Sequence, residues 1–183
     1  MTTALLVIDV QESFAVRPAD WATVSDPGIA IRVGELVRRS RAAGHEIVWV
    51  LHAEPGTGTV FDPASGHVRL LPGLQPRDHE TTVTKTSHNA FTSTDLDRYL
   101  RGKGVTEVIV CGIRTEQCCE TTARVAADLG YRVTFVLDAT ATMPLPRWHD
   151  SGCLDTTAVQ AHTAAALHER FARVVTTAEL MAP

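Results

Sequence analysis

The stretch that decides the fold runs from Glu107 to Asp138. It opens with the apolar run Glu107-Val108-Ile109-Val110-Cys111-Gly112 and closes with Arg132-Val133-Thr134-Phe135-Val136-Leu137-Asp138. Neither run alternates polar with apolar residues, and both are rich in Val, so each reads as a strand buried on two faces. Between them, about Cys118 to Leu129 reads as a helix ended by Gly130, a residue that accepts the left-handed conformation after a last turn. Its Thr122, Ala123, Ala126 and Ala127 are small enough for close packing on a sheet. Strand, helix, strand at this spacing is the repeating unit of a parallel sheet covered by helices.

The same alternation continues in both directions. Further strands are expected at Ala4–Asp9, Glu46–His52, Thr81–Lys85 and Arg173–Thr176, six in all. Asp26-Pro27 reads as an N-cap followed by proline at the first helical position. Ile29, Val33, Leu36 and Val37 then mark one buried helical face, and Gly44 ends the element. A short helix is expected from Thr94-Asp95 to about Gly102, and another from about Thr156 to Phe171. Residues 1–183 contain no linker, repeat or low-complexity stretch and are read as a single α/β domain.

Composition narrows the function classes. With 44% hydrophobic and 21% charged residues, neither disorder nor a coiled coil is expected. No apolar run, Ala4 to Ile8 included, approaches a membrane span, and the amino terminus lacks the pattern of a secretory signal, so a cytoplasmic protein without membrane contact is expected. Seventeen basic against 21 acidic residues give a net charge of -4, and the longest basic run, Arg38-Arg39-Ser40-Arg41, suits a helix end, so no nucleic-acid partner is expected. Only two of the basic residues are lysines, Lys85 and Lys103. Cys111, Cys118, Cys119 and Cys153 have neither disulfide nor zinc-site spacing and are read as free thiols.

Two long segments without regular structure, 53–80 and 139–154, leave from strand carboxyl ends, where open parallel sheets bind ligands. Asp9, His52, Lys85, the Cys118 segment and Asp138 leave from the same rim. Cys118, read as opening a helix, would have its thiol pKa lowered by the helix N-terminus, whose N–H groups also suit an oxyanion. Asp9 could exchange a proton with that thiol, and Lys85 could keep the pair charged. Taken one at a time, a strand-end Asp is more often a cap and a helical Cys a small buried hydrophobe.

The segments Leu6-Val7-Ile8-Asp9-Val10-Gln11-Glu12-Ser13-Phe14, Val83-Thr84-Lys85 through Ala90-Phe91, and Val108 through Cys118 resemble those of the isochorismatase-like cysteine hydrolases, in the family's order. The resemblance extends from residue 4 to Leu180. It implies a doubly wound six-stranded parallel sheet with helices on both faces. It also implies Asp9 as general acid and base, Lys85 as orienting cation and Cys118 as nucleophile. A cis peptide is implied at Ile113–Arg114, with the N–H groups of Arg114 and Cys118 forming the oxyanion hole.

Two departures bear on specificity. Nicotinamidases of the family carry an Asp-x-His metal motif after the second strand, where this chain has Leu51-His52-Ala53-Glu54-Pro55. His52, Glu54, Asp62 and His67 are a polar set that could hold an ion, but loops contain such sets by chance, so no metal and no other cofactor is expected. Arg114 stands where many relatives have a small residue; it narrows the pocket, pairs with a substrate anion, or forms a salt bridge to Glu116 or another rim carboxylate.

Phe14, His52, His88, Phe91, Arg114 and Trp148 are expected at the pocket mouth, with core packing the alternative for the aromatics. Gln11 is read as tying loop backbone, Asp138 as capping a turn, Cys119 as packing, and His162 and His168 as surface or interface residues. The leading function is cleavage of a small carboxamide or related acyl bond through a thioester, by a homo-oligomer (dimer or tetramer). Vinyl-ether hydrolysis of isochorismate and a catalytically idle, redox-sensing role stay open as alternatives; nucleotide binding is disfavoured because no Gly-rich phosphate motif occurs.

Overall fold

A computed structural model describes residues 2–180. In chain order its strands are β1 (Thr2–Ile8), β2 (Glu46–His52), β3 (Thr81–Lys85), β4 (Val105–Ile113), β5 (Arg132–Ala141), β6 (Leu145–Pro146), β7 (Cys153–Leu154) and β8 (Arg173–Val175). The helices are α1 (Glu12–Ala15), α2 (Pro18–Trp21), α3 (Ile29–Ala42), α4 (Leu96–Gly102), α5 (Glu120–Asp128), α6 (Thr156–Leu167) and α7 (Thr177–Leu180). Six strands form one sheet in the order β3-β2-β1-β4-β5-β8, every pair parallel. This is the six-stranded α/β sheet the alternating runs predict. Among the described residues, no helix is long and apolar enough to cross a membrane.

Alternation along β1 shows how both faces are covered. Ala4, Leu6 and Ile8 enter a core shared with Leu96, Leu100, Ala123 and Ala126, beneath α4 and α5. Leu5 and Val7 point the other way, into a core with Ile29, Val33, Leu36 and Val37 of α3. All five β1 side chains are fully buried, and each large one contributes about 1.5–3 kcal/mol by leaving water.

The register then levels the carboxyl ends of the strands. His52 pairs with Lys85 at the ends of β2 and β3, and Ile8 pairs with Gly112 near the ends of β1 and β4. The approach of β1 to β4 demands glycine at residue 112. Its φ is +135°, and a Cβ built there would lie 1.9 Å from the Ile8 carbonyl oxygen.

Several boundaries differ from the sequence reading. β1 stops at Ile8, because Asp9 takes a left-handed φ of +50°. α3 starts at Ile29 rather than at Pro27, since the Asp26 carboxylate accepts the Gly28 N–H (2.8 Å) and closes a turn ahead of the helix. The helix expected from Cys118 begins only at Glu120; Thr115–Cys119 form a π-helical turn before it. α6 ends at Leu167, four residues short of Phe171, where Glu169 adopts a φ of +58°. The segment 139–154 is partly ordered by the extension of β5 to Ala141 and by the antiparallel β6–β7 pair.

One ion pair anchors the long segment before β3. Glu80 accepts from Arg41 Nε (2.6 Å) and Nη2 (2.9 Å), from Trp49 Nε1 (2.8 Å) and from the Arg77 N–H (3.0 Å). Burial alone would raise the Glu80 pKa, but these donors together bring it down to about 2. A carboxyl group depressed on folding stabilises the protein above its unfolded pKa, and that stability is lost as pH falls through the folded value. Unfolding free energy is therefore expected to drop between the ordinary glutamate range and pH 2, by up to about 3 kcal/mol from this group. Denaturant titrations at a series of pH values would check it, and Glu80→Gln should flatten that limb.

Candidate active site

Asp9 follows β1 directly, and its positive φ turns the carboxyl group into the space above the strand ends. Aspartate tolerates this conformation better than most residues, at a modest cost that marks the position as one the surroundings enforce. The Asp9 N–H donates to the Val50 carbonyl (2.8 Å), which fixes the residue against β2. Lys85, the last residue of β3, places Nζ 2.7 Å from Asp9 Oδ2 and 3.3 Å from Cys118 Sγ. Asp9 and Lys85 are fully buried and Cys118 is 6% exposed. Apart from the ammonium and the neighbouring Cys118 thiol, the carboxylate oxygens have no hydrogen-bond partner among the described residues. The Ile113–Arg114 peptide is cis, and the Arg114 carbonyl accepts the Gln117 and Cys119 N–H groups at 3.2 Å, closing the turn that carries Cys118.

Electrostatics in this cluster differ from the sequence reading in one respect. The Cys118 thiol is not acidified. Burial pushes its pKa up to about 12, with the charge of Asp9 adding to the rise and Lys85 opposing it. The helix N-terminus that would lower it lies two residues further on, at Glu120. Burial also raises the Asp9 pKa, against the pull of Lys85. At rest, then, the sulfur holds its proton beside a carboxyl group whose proton affinity is increased.

A cavity of about 140 Å³ opens above Cys118. Of the six residues expected at its mouth, Phe14, His52, His88 and Arg114 line it. Phe91 does not: it lies in the core under α5 and stacks on Tyr131, with ring centres 6.0 Å apart. Trp148 does not either; it is 96% exposed on the segment between β6 and β7, beside His149. An aromatic residue on the right segment can face either way, and only the packing decides which. Arg114 takes the ion-pair alternative, with Nε 3.2 Å from Glu116 Oε1 and Nη2 donating to the Met143 carbonyl (3.2 Å).

Sequence reasoning missed Arg17, Phe61 and Gln117, which also line the cavity. Phe61 packs edge-on against Phe14 (5.0 Å), with the Arg17 guanidinium 5.7 Å from its ring centre. Only the presence of an aromatic residue within a long polar loop could have signalled it. Gln11 does tie loop backbone: its amide accepts the His52 N–H (2.7 Å) and donates to the His52 carbonyl (3.0 Å). Asp138 caps α7 through the Thr177 N–H (2.6 Å) and hydroxyl (2.7 Å). Asp62 accepts the Gly58 and Ala64 N–H groups and so holds its own loop, while His67 lies 4.0 Å from Glu12. Among the described residues, no three of His, Cys, Asp and Glu form a group that could hold a metal ion.

A buried thiol, ammonium and carboxyl group at the rim of a six-stranded parallel sheet define a cysteine hydrolase architecture. The chain belongs to the isochorismatase family: the family model, an isochorismatase domain, matches residues 3–179. The crystal structure of a cysteine hydrolase from Pseudomonas syringae superposes with a TM-score of 0.88 at 29% identity, covering 97% of this chain and 90% of that one. The isochorismatase family protein YrdC of Bacillus subtilis is 26% identical over 97% of this chain and 94% of its own length. A streptothricin hydrolase of Streptomyces noursei is 38% identical over 78% of this chain, and the match spans 56% of that protein.

Proposed function

We propose that the chain is a thiol amidohydrolase acting on a small carboxamide or related acyl compound. The observation that carries this reading is the Lys85 ammonium between the Asp9 carboxyl group (2.7 Å) and the Cys118 sulfur (3.3 Å) at the base of a small cavity. Asp9 takes the thiol proton as the sulfur attacks the carbonyl carbon, and Lys85 stabilises the charges that form. The N–H groups of Arg114 and Cys118 receive the oxyanion. The C–N bond breaks as Asp9 returns its proton to the leaving nitrogen; ammonia or an amine departs and a thioester remains. Water then gives a proton to Asp9 and its oxygen to the acyl carbon, and the thiol leaves by taking that proton back. Because the thiol pKa is about 12, the nucleophile is made on demand by Asp9 and is not a standing thiolate. The 38% identical streptothricin hydrolase supports hydrolysis as the reaction class.

The cavity limits the substrate. A space of about 140 Å³ admits a handful of heavy atoms, and Phe14 and Phe61 give it an apolar wall. Arg114 is already paired with Glu116, which weakens it as a receptor for a free anion. A panel of small amides assayed for ammonia release tests the proposal. With a substrate that turns over, hydroxylamine should intercept the acyl-enzyme and give a hydroxamate in place of part of the acid. Ammonia release from no amide, or turnover with no trapped acyl group and no adduct on Cys118 by mass spectrometry, would overturn the covalent amidase reading.

A further inference from the structure

A buried ammonium carries three N–H donors and is best held where each of them meets an acceptor. Lys85 is fully buried, and the reactive groups supply only two, Asp9 Oδ2 and Cys118 Sγ. The third is Nδ1 of His52, 3.3 Å from Nζ. That contact requires a ring nitrogen without a proton. Glu54 meets the requirement from the other side: its Oε1 lies 3.5 Å from His52 Nε2, so the single ring proton belongs on Nε2. Burial and the adjacent Lys85 also hold the His52 pKa below its ordinary value, against the opposing charges of Asp9 and Glu54.

Both members of the pair are held in place. The His52 peptide is gripped on its N–H and its carbonyl by Gln11, and its ring packs edge-on against Phe61 (5.7 Å). Glu54 accepts from the Thr59 hydroxyl (3.0 Å) and donates its N–H to the Phe61 carbonyl (2.8 Å). Of the other charged or titratable groups lining the cavity, Arg17 and Arg114 carry only donors, and the His88 ring centre is 6.5 Å from that of His52. We infer that His52, with its tautomer set by Glu54, is a positioning residue that directs the Lys85 ammonium onto Asp9 and Cys118. This rests on Cys118 being the nucleophile but not on the identity of the substrate.

Alkylation of Cys118 by iodoacetamide tests the inference without a substrate. The rate is followed at Cys118 by mass spectrometry at fixed mildly alkaline pH, with thermal unfolding as the control for folding. His52→Phe keeps a ring against Phe61 and removes the acceptor. His52→Asn keeps an acceptor close to the position of Nδ1. His52→Phe is expected to slow alkylation about tenfold, equivalent to about one pKa unit of lost thiolate stabilisation. His52→Asn should stay within about twofold of the parent protein, since the acceptor is retained. Glu54→Ala, at a half-exposed position, should slow it by a smaller factor in the same direction. A parent rate or a faster one in His52→Phe, or equal slowing in Phe and Asn variants, would overturn the inference. Loss of the amidase reading would show instead as absent hydroxamate with this alkylation pattern intact.

Discussion

Cys118→Ala is expected to lose at least about three orders of magnitude in turnover, because a covalent route has no substitute for its nucleophile. The other cysteines cannot stand in for it. Cys111 lies inside β4 with its thiol pKa raised by burial, Cys119 is fully buried one residue past Cys118, and Cys153 is exposed on β7, away from the cavity. Folding should survive the change, since one sulfur atom is removed from a residue that already borders a cavity. Circular dichroism and thermal unfolding would confirm that, beside steady-state rates and the hydroxylamine trap. Near-parent turnover with a folded Cys118→Ala protein would end the thiol mechanism.

The fold was legible because β1, β4 and β5 are buried on both faces, and apolar runs as short and as rich in branched residues as Ala4–Ile8 read as such strands. The level of the strand ends was legible too, so Asp9, His52, Lys85 and Cys118 could be placed on one rim before any distance was known. Local geometry was not. The helix starts two residues beyond Cys118, which leaves Cys118 in a π-helical turn, and burial beside Asp9, invisible in the sequence, sets the upward direction of its pKa change. Nor could periodicity say which way an aromatic side chain on a rim segment would face. Phe91 found room in the core beside Tyr131, whereas Phe14 borders both core and cavity. Arg17, Phe61 and the Glu54 carboxylate reach the site from segments with no repeating pattern to read. Their placement depends on loop contacts such as those of Asp62 and Gln11, which come from residues distant in sequence or ordinary in type.

Lys85→Met should cost turnover as heavily, and its effect on stability should carry a sign that a lost packing contact would not. The side chains are similar in length, so the fully buried space is filled while the charge is removed. Burial already raises the Asp9 pKa in the parent protein, and Lys85 is the main group opposing that rise. Without the ammonium, the Asp9 pKa climbs further, so the carboxyl group keeps its proton to higher pH and no longer serves as an acceptor for the Cys118 proton. A fall of about 10²–10⁴ in turnover is the expected size for losing general base action. A carboxyl group whose folded pKa is raised binds its proton more tightly in the folded state, so it favours folding at low pH. Lys85→Met should therefore become less stable as pH rises from the ordinary aspartate range through the raised folded value, a buried unpaired carboxylate costing about 3–5 kcal/mol if fully ionised. Asp9→Asn added to Lys85→Met should remove that pH dependence. Lys85→Arg should rescue poorly, since a planar guanidinium needs more space than the ammonium leaves between Asp9, His52 and Cys118. Chemical denaturation at several pH values, run beside the turnover assay, reads both effects. A Lys85→Met protein that keeps parent activity, or whose stability relative to the parent does not change with pH, would show that the ammonium does not govern the protonation of Asp9.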